Sequence, residues 1–333
     1  MTIREHFPLK DHNTFRLNAT ARYWCEYASE AELVEVLHRF ADVPKCFIGD
    51  GSNLLFIGDF EGVVMRSAMR RAAALRETDQ EVWIEAQSGL RMDDLIEQVA
   101  AMQLYGLENL SHIPGQVGAA AVQNVGAYGV EAKDVIEEVH TLDVQTLQPR
   151  IFTNAECRYG YRDSFFKREG KGRYIITSVI FRLSKAPVLH LDYGNLRSHL
   201  ADIETPSPEA IRQAVIAIRQ QKLPEVTQFG SAGSFFKNPI VPSETYQRLL
   251  TRYPAMPSYQ TPDGYKIPAA WLIEQCGWKG QRVGGAAVWQ AQPLVLYNTG
   301  DASSDDVQTL AAQIIASVQQ QFDINLQREA EYI

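Results

Sequence analysis

The sequence predicts an α+β fold, and three observations carry that reading. Over the first two thirds, short apolar runs bounded by Gly, Asp and Asn alternate with amphipathic helical stretches. Past a boundary near residue 218 the pattern turns helix-rich. No period of 20–50 residues and no low-complexity block interrupts the 333 residues, so repeat architectures are excluded. That length suits two or three domains of roughly 100–200 residues each.

The elements follow in order. SEAELVEVLHRF at 29–40 places Leu33, Val34, Val36 and Leu37 at helical spacing. KCFIGD is a short strand, GSN a turn, and LLFIGDF and GVVMRS are further strands. VWIEAQSG reads as a strand, and RMDDLIEQVAAMQLYG as an amphipathic helix stopped near Gly106. A long glycine-rich loop follows, and strands resume in DVIEEVHTLDVQT and RYIITSVIFRL. Ser207 caps a helix that opens on Pro208 and ends before Leu223-Pro224. Beyond it, SETYQRLLTRY, KIPAAWLIEQCGW and SSDDVQTLAAQIIASVQQQF are helices, with the strand PLVLYN between the last two. FDINLQREAEYI alternates like a strand.

Composition narrows the function. Apolar residues at 45% and charged residues at 22% are those of a globular chain, which rules out disorder and fibre. No apolar run approaches the ~18 residues of a membrane span, and MTIREHFPLK has no apolar stretch behind its charges to make a secretory signal. Thirty-two Lys+Arg against 40 Asp+Glu leave a net charge of −8, a field that repels nucleic acid and anionic membranes. A few local cations can still hold a small anion in a closed pocket. Cys25, Cys46, Cys157 and Cys276 lie far apart without CxxC spacing, as expected of reduced thiols in a cytoplasmic protein with no metal site. Without an obvious apolar stripe on an exposed helix, a monomer is expected.

Four segments carry candidate chemistry. I-G-D-G-S-N at 48–53 lies between two strands, where glycines bring backbone N–H groups toward an anion and Ser52 and Asn53 add donors. It has neither the third glycine of a dinucleotide fingerprint nor the GK[ST] of a phosphate-binding P-loop. Alone, it reads better as a polar hairpin turn than as an anion cradle. I-P-G-Q-V-G-A-A-A-V-Q-N-V-G-A-Y-G at 113–129 has so little side-chain bulk that a large flat ligand could lie against its backbone. Gln123 and Asn124 then offer polar groups to a heteroaromatic edge and Tyr128 a packing surface. Q-F-G-S-A-G-S-F-F-K-N-P at 228–239 reads as a turn that sets a hydroxyl beside Lys237. No histidine follows His199, so a serine nucleophile has no base there, and a proton donor is the better role. C-R-Y-G-Y-R-D-S-F-F-K at 157–167 could clamp a carboxylate or phosphate through Arg158, Arg162 and Lys167, or be an exposed loop. His112 reads as a loop histidine bonded to backbone, Cys276 as packing, and Trp271, Trp278 and Trp289 as core or interface anchors.

Taken in order and spacing, GDGSN, IPGQVGAAAVQNVGAYG, YGYRDSFFK, QKLP and GSFFKNP resemble the UDP-N-acetylenolpyruvoylglucosamine reductase family over nearly the whole chain. L-D-Y-G-N-L is similar to the tyrosine loop of the family's longer subtype. The resemblance implies FAD bound in a domain of the vanillyl-alcohol-oxidase and p-cresol methylhydroxylase type, followed by a smaller substrate domain. The implied division is 1–67 with 322–333, then 68–218, then 219–321. The implied activity is NADPH-dependent reduction of UDP-N-acetylglucosamine enolpyruvate to UDP-N-acetylmuramate for peptidoglycan, in two stages; NADPH over NADH comes from the resemblance alone.

Carried over by motif, Ser234 matches the proton donor, Arg162 the arginine on the substrate carboxylate, and Glu329 of L-Q-R-E the catalytic glutamate. Tyr193, Lys222 and Asn238 match substrate-binding positions. Gly49, Gly51, Ser52 and Asn53 match the pyrophosphate loop; Gly115, Gly118, Gln123, Asn124, Gly126 and Tyr128 match the flavin-facing loop. Asp50 stands where many relatives have glycine or glutamate. Arg328 replaces the usual proline, and alanine follows Glu329 where valine is common. Glu331 shares a strand face with Glu329 and remains the alternative glutamate. Two rival readings are another flavin oxidoreductase of this fold and a non-catalytic UDP-sugar-binding protein. The first has no need of Ser234; the second predicts loss of Arg162, Ser234 or the terminal glutamate, and all three are present.

Overall fold

The structure is a computed structural model describing residues 1–225 and 228–333. Its contacts divide the chain into two units, one of residues 1–7, 21–50 and 60–220, the other of 8–20, 51–59 and 221–333.

The first unit holds a four-stranded sheet in the order Thr2–Pro8, Thr20–Tyr27, Phe60–Ser67, Lys45–Ile48. Phe60–Ser67 pairs in parallel with both Thr20–Tyr27 and Lys45–Ile48. A parallel pair needs a crossover, and Glu30–Arg39 supplies it, capped by Ser29 Oγ on the Glu32 N–H at 3.1 Å and burying Leu33, Val36 and Leu37. The second sheet is five-stranded and antiparallel, in the order Pro149–Thr153, Ile136–Asp143, Tyr174–Ser184, Glu81–Gln87, Ala72–Glu77. On one face lies a core of Val82, Ile84 and Ala86 from the sheet and Leu95, Ile96 and Val99 from helix Met92–Ala101. Helix Pro208–Lys222 starts where Ser207 Oγ accepts the Ala210 N–H at 3.2 Å, and buries Ile211, Val215 and Ile218 against Leu191, Leu196 and Leu200.

The glycine-rich segment after Gly106 is not the long loop the sequence suggests. Val117–Gln123 is a helix, and Gly126–Ala127 pairs with Val130–Glu131. Its three alanines favour a helix, and its glycine lets it pack closely. A Cβ on Gly118 would lie 2.9 Å from Ser88 Cβ, and the Gly118 N–H bonds to Ser88 O at 3.0 Å.

The second unit is richer in strands than the sequence suggests. Gly230–Ser234, Val295–Asn298, Ala286–Val288 and Arg282–Val283 form an antiparallel sheet, and Ile240–Val241, Gly264–Lys266 and Tyr259–Thr261 a smaller one. The expected turn at 228–239 is therefore largely a strand. Strands of two to five residues carry too few alternations to register as a period. Ser304–Phe322 covers the larger sheet, its Val307, Leu310, Ile314, Val318 and Phe322 spaced at helical intervals and buried, each contributing about 1.5–3 kcal/mol. A capping box of Ser303 and Asp306 opens it, and the N–H groups of Ser303 and Gly285 hold the Asp306 carboxyl below the usual range. The C-terminal segment is not one strand. Phe322, Ile324 and Leu326 are buried alternately, but only Glu331–Tyr332 forms a ladder, with Leu54–Leu55.

Candidate active site

In the second unit, strand Gly230–Ser234 carries a bulge after Ser231, with Gly233 in the left-handed region at φ +68. Ser234 ends the strand opposite Val295 and is exposed. Phe235 and Phe236, fully buried, anchor the chain directly after it. Next to them runs the C-terminal segment. The Lys237 N–H bonds Gln327 O at 2.9 Å, the Glu329 N–H bonds Phe235 O at 2.8 Å, and Arg328 sits opposite Phe236 in an antiparallel bridge. Asn53 closes the other side, its Nδ2 donating to Glu329 O at 3.0 Å and its own carbonyl accepting the Glu331 N–H at 2.9 Å. Ser234, Glu329 and the Gly51–Asn53 stretch, read from three separate motifs, thus share one hydrogen-bonded frame.

The frame also sorts the two glutamates. Glu329 is bonded through its main chain to the residue after Ser234, whereas Glu331 belongs to the ladder with Leu54. Arg328, in place of the family's proline, falls in the pair whose N–H the bridge does not use, and its guanidinium lies 3.8 Å from the centre of the Tyr332 ring. Asn238 Oδ1 accepts the Ala269 N–H at 2.8 Å at the start of helix Ala269–Gln275. Lys222 is exposed at the end of its helix.

Gly51 also has a partner the sequence did not single out. Gly51 is left-handed at φ +68, and a Cβ there would come within 2.3 Å of His12 O. The Thr14 N–H bonds Gly51 O at 3.2 Å, its hydroxyl donates to Ser231 O at 2.6 Å, and its carbonyl accepts the Ser231 N–H at 2.9 Å. Nothing in T-F-R marks Thr14 in the sequence, because its work is done by one hydroxyl and two peptide groups.

In the first unit the 113–129 ribbon is held from several sides. Gly115 has φ +132, and a Cβ on Gly49 would press on Ala119 Cβ at 3.2 Å. Lys167 Nζ donates to Gln123 Oε1 at 2.6 Å. Asn124 is fully buried and left-handed, its amide donating to Glu131 Oε2 and Gly160 O and its carbonyl accepting the Lys133 N–H. Its polar groups are thus engaged by the protein. Arg162 Nη2 donates to Gly126 O at 2.5 Å, which fixes the guanidinium plane, and a Cβ on Gly126 would lie 2.9 Å from Arg162 Nη1. Arg158 instead pairs with Glu169 at 3.1 Å, so the basic cluster read from 157–167 splits.

Tyr128 meets Tyr193 edge-to-face at 6.3 Å, and Tyr193 is 48% exposed. Arg219 hydrogen-bonds the Tyr128 side chain and donates Nε–H to His112 O at 3.0 Å. Burial pushes the Tyr128 hydroxyl up and the Arg219 guanidinium down, each opposed by the other. Arg219 reads in the sequence only as part of a cationic helix end. Non-glycine residues with positive φ gather here: His112, Asn124, Tyr128, Arg158 and Arg162. Such strain of roughly 1–3 kcal/mol per residue persists where surrounding structure imposes it, and clusters at functional sites.

Taken separately, the two stretches suit a diphosphate and a flat ring, groups that a dinucleotide cofactor carries. Gly51 offers main chain where no side chain fits, and the ribbon offers glycine and alanine. The comparisons agree. Residues 21–146 match an FAD-binding domain, and 224–333 match the C-terminal domain of UDP-N-acetylenolpyruvoylglucosamine reductase. The chain is 43% identical over 337 residues to the UDP-N-acetylenolpyruvoylglucosamine reductase of Porphyromonas gingivalis, covering 100% of both chains. It is 42% identical over 332 residues to the one from Bdellovibrio bacteriovorus, covering 99% of each. The chain belongs to the UDP-N-acetylenolpyruvoylglucosamine reductase family.

A solved reductase of this family, from Thermus caldophilus, superposes with TM-score 0.71 at 25% identity, over 100% of this chain and 99% of that one. The 6-hydroxy-D-nicotine oxidase of Arthrobacter nicotinovorans shares the fold at TM-score 0.53 and 13% identity, over 90% and 80% of the two chains. The protein is thus a flavin-dependent oxidoreductase, built on a vanillyl-alcohol-oxidase-type FAD-binding domain and the reductase family's C-terminal domain. Among the described residues no helix is long and apolar enough to cross a membrane.

Proposed function

We propose that the protein reduces UDP-N-acetylglucosamine enolpyruvate to UDP-N-acetylmuramate, a peptidoglycan precursor, with NADPH as the source of electrons. The observation that carries the proposal is the frame joining exposed Ser234 to Glu329 through Phe235. Bound FAD supplies hydride to one carbon of the vinyl ether. The protein supplies the rest.

As hydride arrives, negative charge spreads into the substrate carboxylate. Arg162, its plane set by Gly126 O, offsets that charge, and Glu329 in its protonated form donates a hydrogen bond to it. Ser234 delivers the proton to the other carbon. Serine is a weak acid, so the step requires a basic carbanion and prompt quenching of the serine alkoxide, a role we give to Lys237. Tyr193, Lys222 and Asn238 hold the sugar nucleotide. The Asn238 carbonyl already caps a helix, so its NH₂ group is the one that faces substrate. Gly49, Gly51, Ser52 and Asn53 take the diphosphate through main-chain groups. Gly115, Gly118, Gln123, Gly126 and Tyr128 line the flavin, and Asn124 keeps that ribbon in place.

The domains are assigned as 1–67 with 322–333, 68–218 and 219–321, in a cytoplasmic monomer that binds no nucleic acid and no membrane. The test is NADPH consumption with and without the enolpyruvyl sugar nucleotide. Consumption that requires that substrate, with a product two hydrogens heavier, supports the proposal. Consumption indifferent to it refutes it.

A further inference from the structure

Glu329 has unusual main-chain restraint for a residue near a chain end. Its N–H is tied to Phe235 O and its C=O to Asn53 Nδ2, so little but side-chain rotation is left to it. The ladder of Glu331 and Tyr332 with Leu54 and Leu55, and the bonds between Ile57, Ile333 and Leu55, already hold the strand in place. The Asn53 amide therefore adds control at Glu329 in particular. Thr14 does the same for the other partner, linking Gly51 O to both peptide groups of Ser231, at the start of the strand that ends in Ser234. Gly51 sits so close to this segment that a Cβ there would come within 2.3 Å of His12 O and 2.7 Å of Asn13 Cα.

We propose that Asn53 and Thr14 are positioning residues that couple the phosphate-loop stretch Gly51–Asn53 to Glu329 and to the Ser234 strand, so that filling the loop with the cofactor's diphosphate sets the geometry of proton delivery. This deepens the reading of Ser234 and Glu329 given above and rests on it. The coupling also gives Asn53 a different task from the one its sequence suggests. Its side-chain amide holds Glu329, and its main chain is what remains for the loop.

The test separates the two half-reactions under anaerobic conditions in wild type, Asn53→Ala, Thr14→Val and Thr14→Ser. In Thr14→Val, bound flavin and its reduction by NADPH stay within about twofold of wild type while reoxidation by the enolpyruvyl sugar nucleotide falls about tenfold or more, and in Asn53→Ala reoxidation falls by more than flavin binding or reduction does. Thr14→Ser, which keeps the hydroxyl, restores it. Hydrogen exchange gives a readout independent of turnover. Adding FAD to apoprotein slows exchange in the 327–333 peptide of wild type, and this protection is reduced in Asn53→Ala. Equal loss in both half-reactions together with flavin release would overturn the proposal and make Asn53 a plain cofactor ligand. So would unchanged reoxidation with unchanged protection. If Ser234→Ala reoxidises normally, the proton-delivery reading itself has failed, and the exchange measurement still decides whether the coupling exists.

Discussion

Replacing Asn124 tests how the glycine-rich 113–129 ribbon is held. The residue is fully buried, caps helix Val117–Gln123 in a left-handed conformation, and makes three hydrogen bonds. Asn124→Ala leaves the Lys133 N–H without its acceptor, at about 1–2 kcal/mol. Gly160 O keeps the Asp163 N–H at 3.2 Å, and Glu131 keeps Lys133 Nζ at 2.7 Å, so the other two bonds are lost at only about 0.5–1.5 kcal/mol each. Forcing alanine into the left-handed region adds about 1 kcal/mol. The sum is about 3–6 kcal/mol. Asn124→Gly loses the same bonds without that strain and is expected to be about 1 kcal/mol less destabilised. Urea unfolding followed by tryptophan fluorescence reads both values. The substrate KM of either variant should also rise, because Arg162 is anchored on Gly126, two residues further on. An Asn124→Ala protein within 1 kcal/mol of wild type would refute the reasoning.

Three further outcomes follow from the same geometry. Gly51→Ala, closed by φ +68 and a 2.3 Å approach to His12 O, should lose about 2–4 kcal/mol and bind flavin weakly, whereas Gly58→Ala, with open space, should be neutral or slightly stabilising by thermal melting. Arg219→Met and Tyr128→Phe should each raise the KM for the sugar nucleotide about tenfold with little change in kcat, and the double variant should be no worse than Arg219→Met, which already removes the one hydrogen bond that Tyr128→Phe removes along with the one to His112 O. Burial pushes the Cys25 and Cys157 thiols up to about 11, so maleimide at pH 8 should label Cys46 first and leave these two until the protein unfolds. Because the folded pKa is raised, their contribution to stability is complete below about pH 9 and lost as pH climbs toward 11, which denaturation at stepped pH would record.

Much of this architecture can be read from the sequence. Leu33, Val36 and Leu37 declare their helix by spacing, and Ser207-Pro208 declares the start of another. The motifs around Ser234, Arg162 and Glu329 are explicit because each is a short run of residues contiguous in sequence. What stays hidden is decided by tertiary contact. Val117–Gln123 is helical because Gly118 fits against Ser88, which no local pattern announces. The strand Gly230–Ser234 exists because Val295–Asn298 and Thr14 receive its peptide groups. Thr14 and Arg219 act through hydrogen bonds to residues far away in sequence, so neither leaves a motif.

The central claim is that the hydroxyl at position 234 supplies a proton to carbon while electrons come from the flavin. The direct measurement is anaerobic stopped-flow of Ser234→Ala, followed at the flavin absorbance. The account predicts bleaching by NADPH at the wild-type rate, then reoxidation by the enolpyruvyl sugar nucleotide slowed by about 10³ or more, roughly 4 kcal/mol of lost transition-state stabilisation. Reoxidation at the wild-type rate would contradict it.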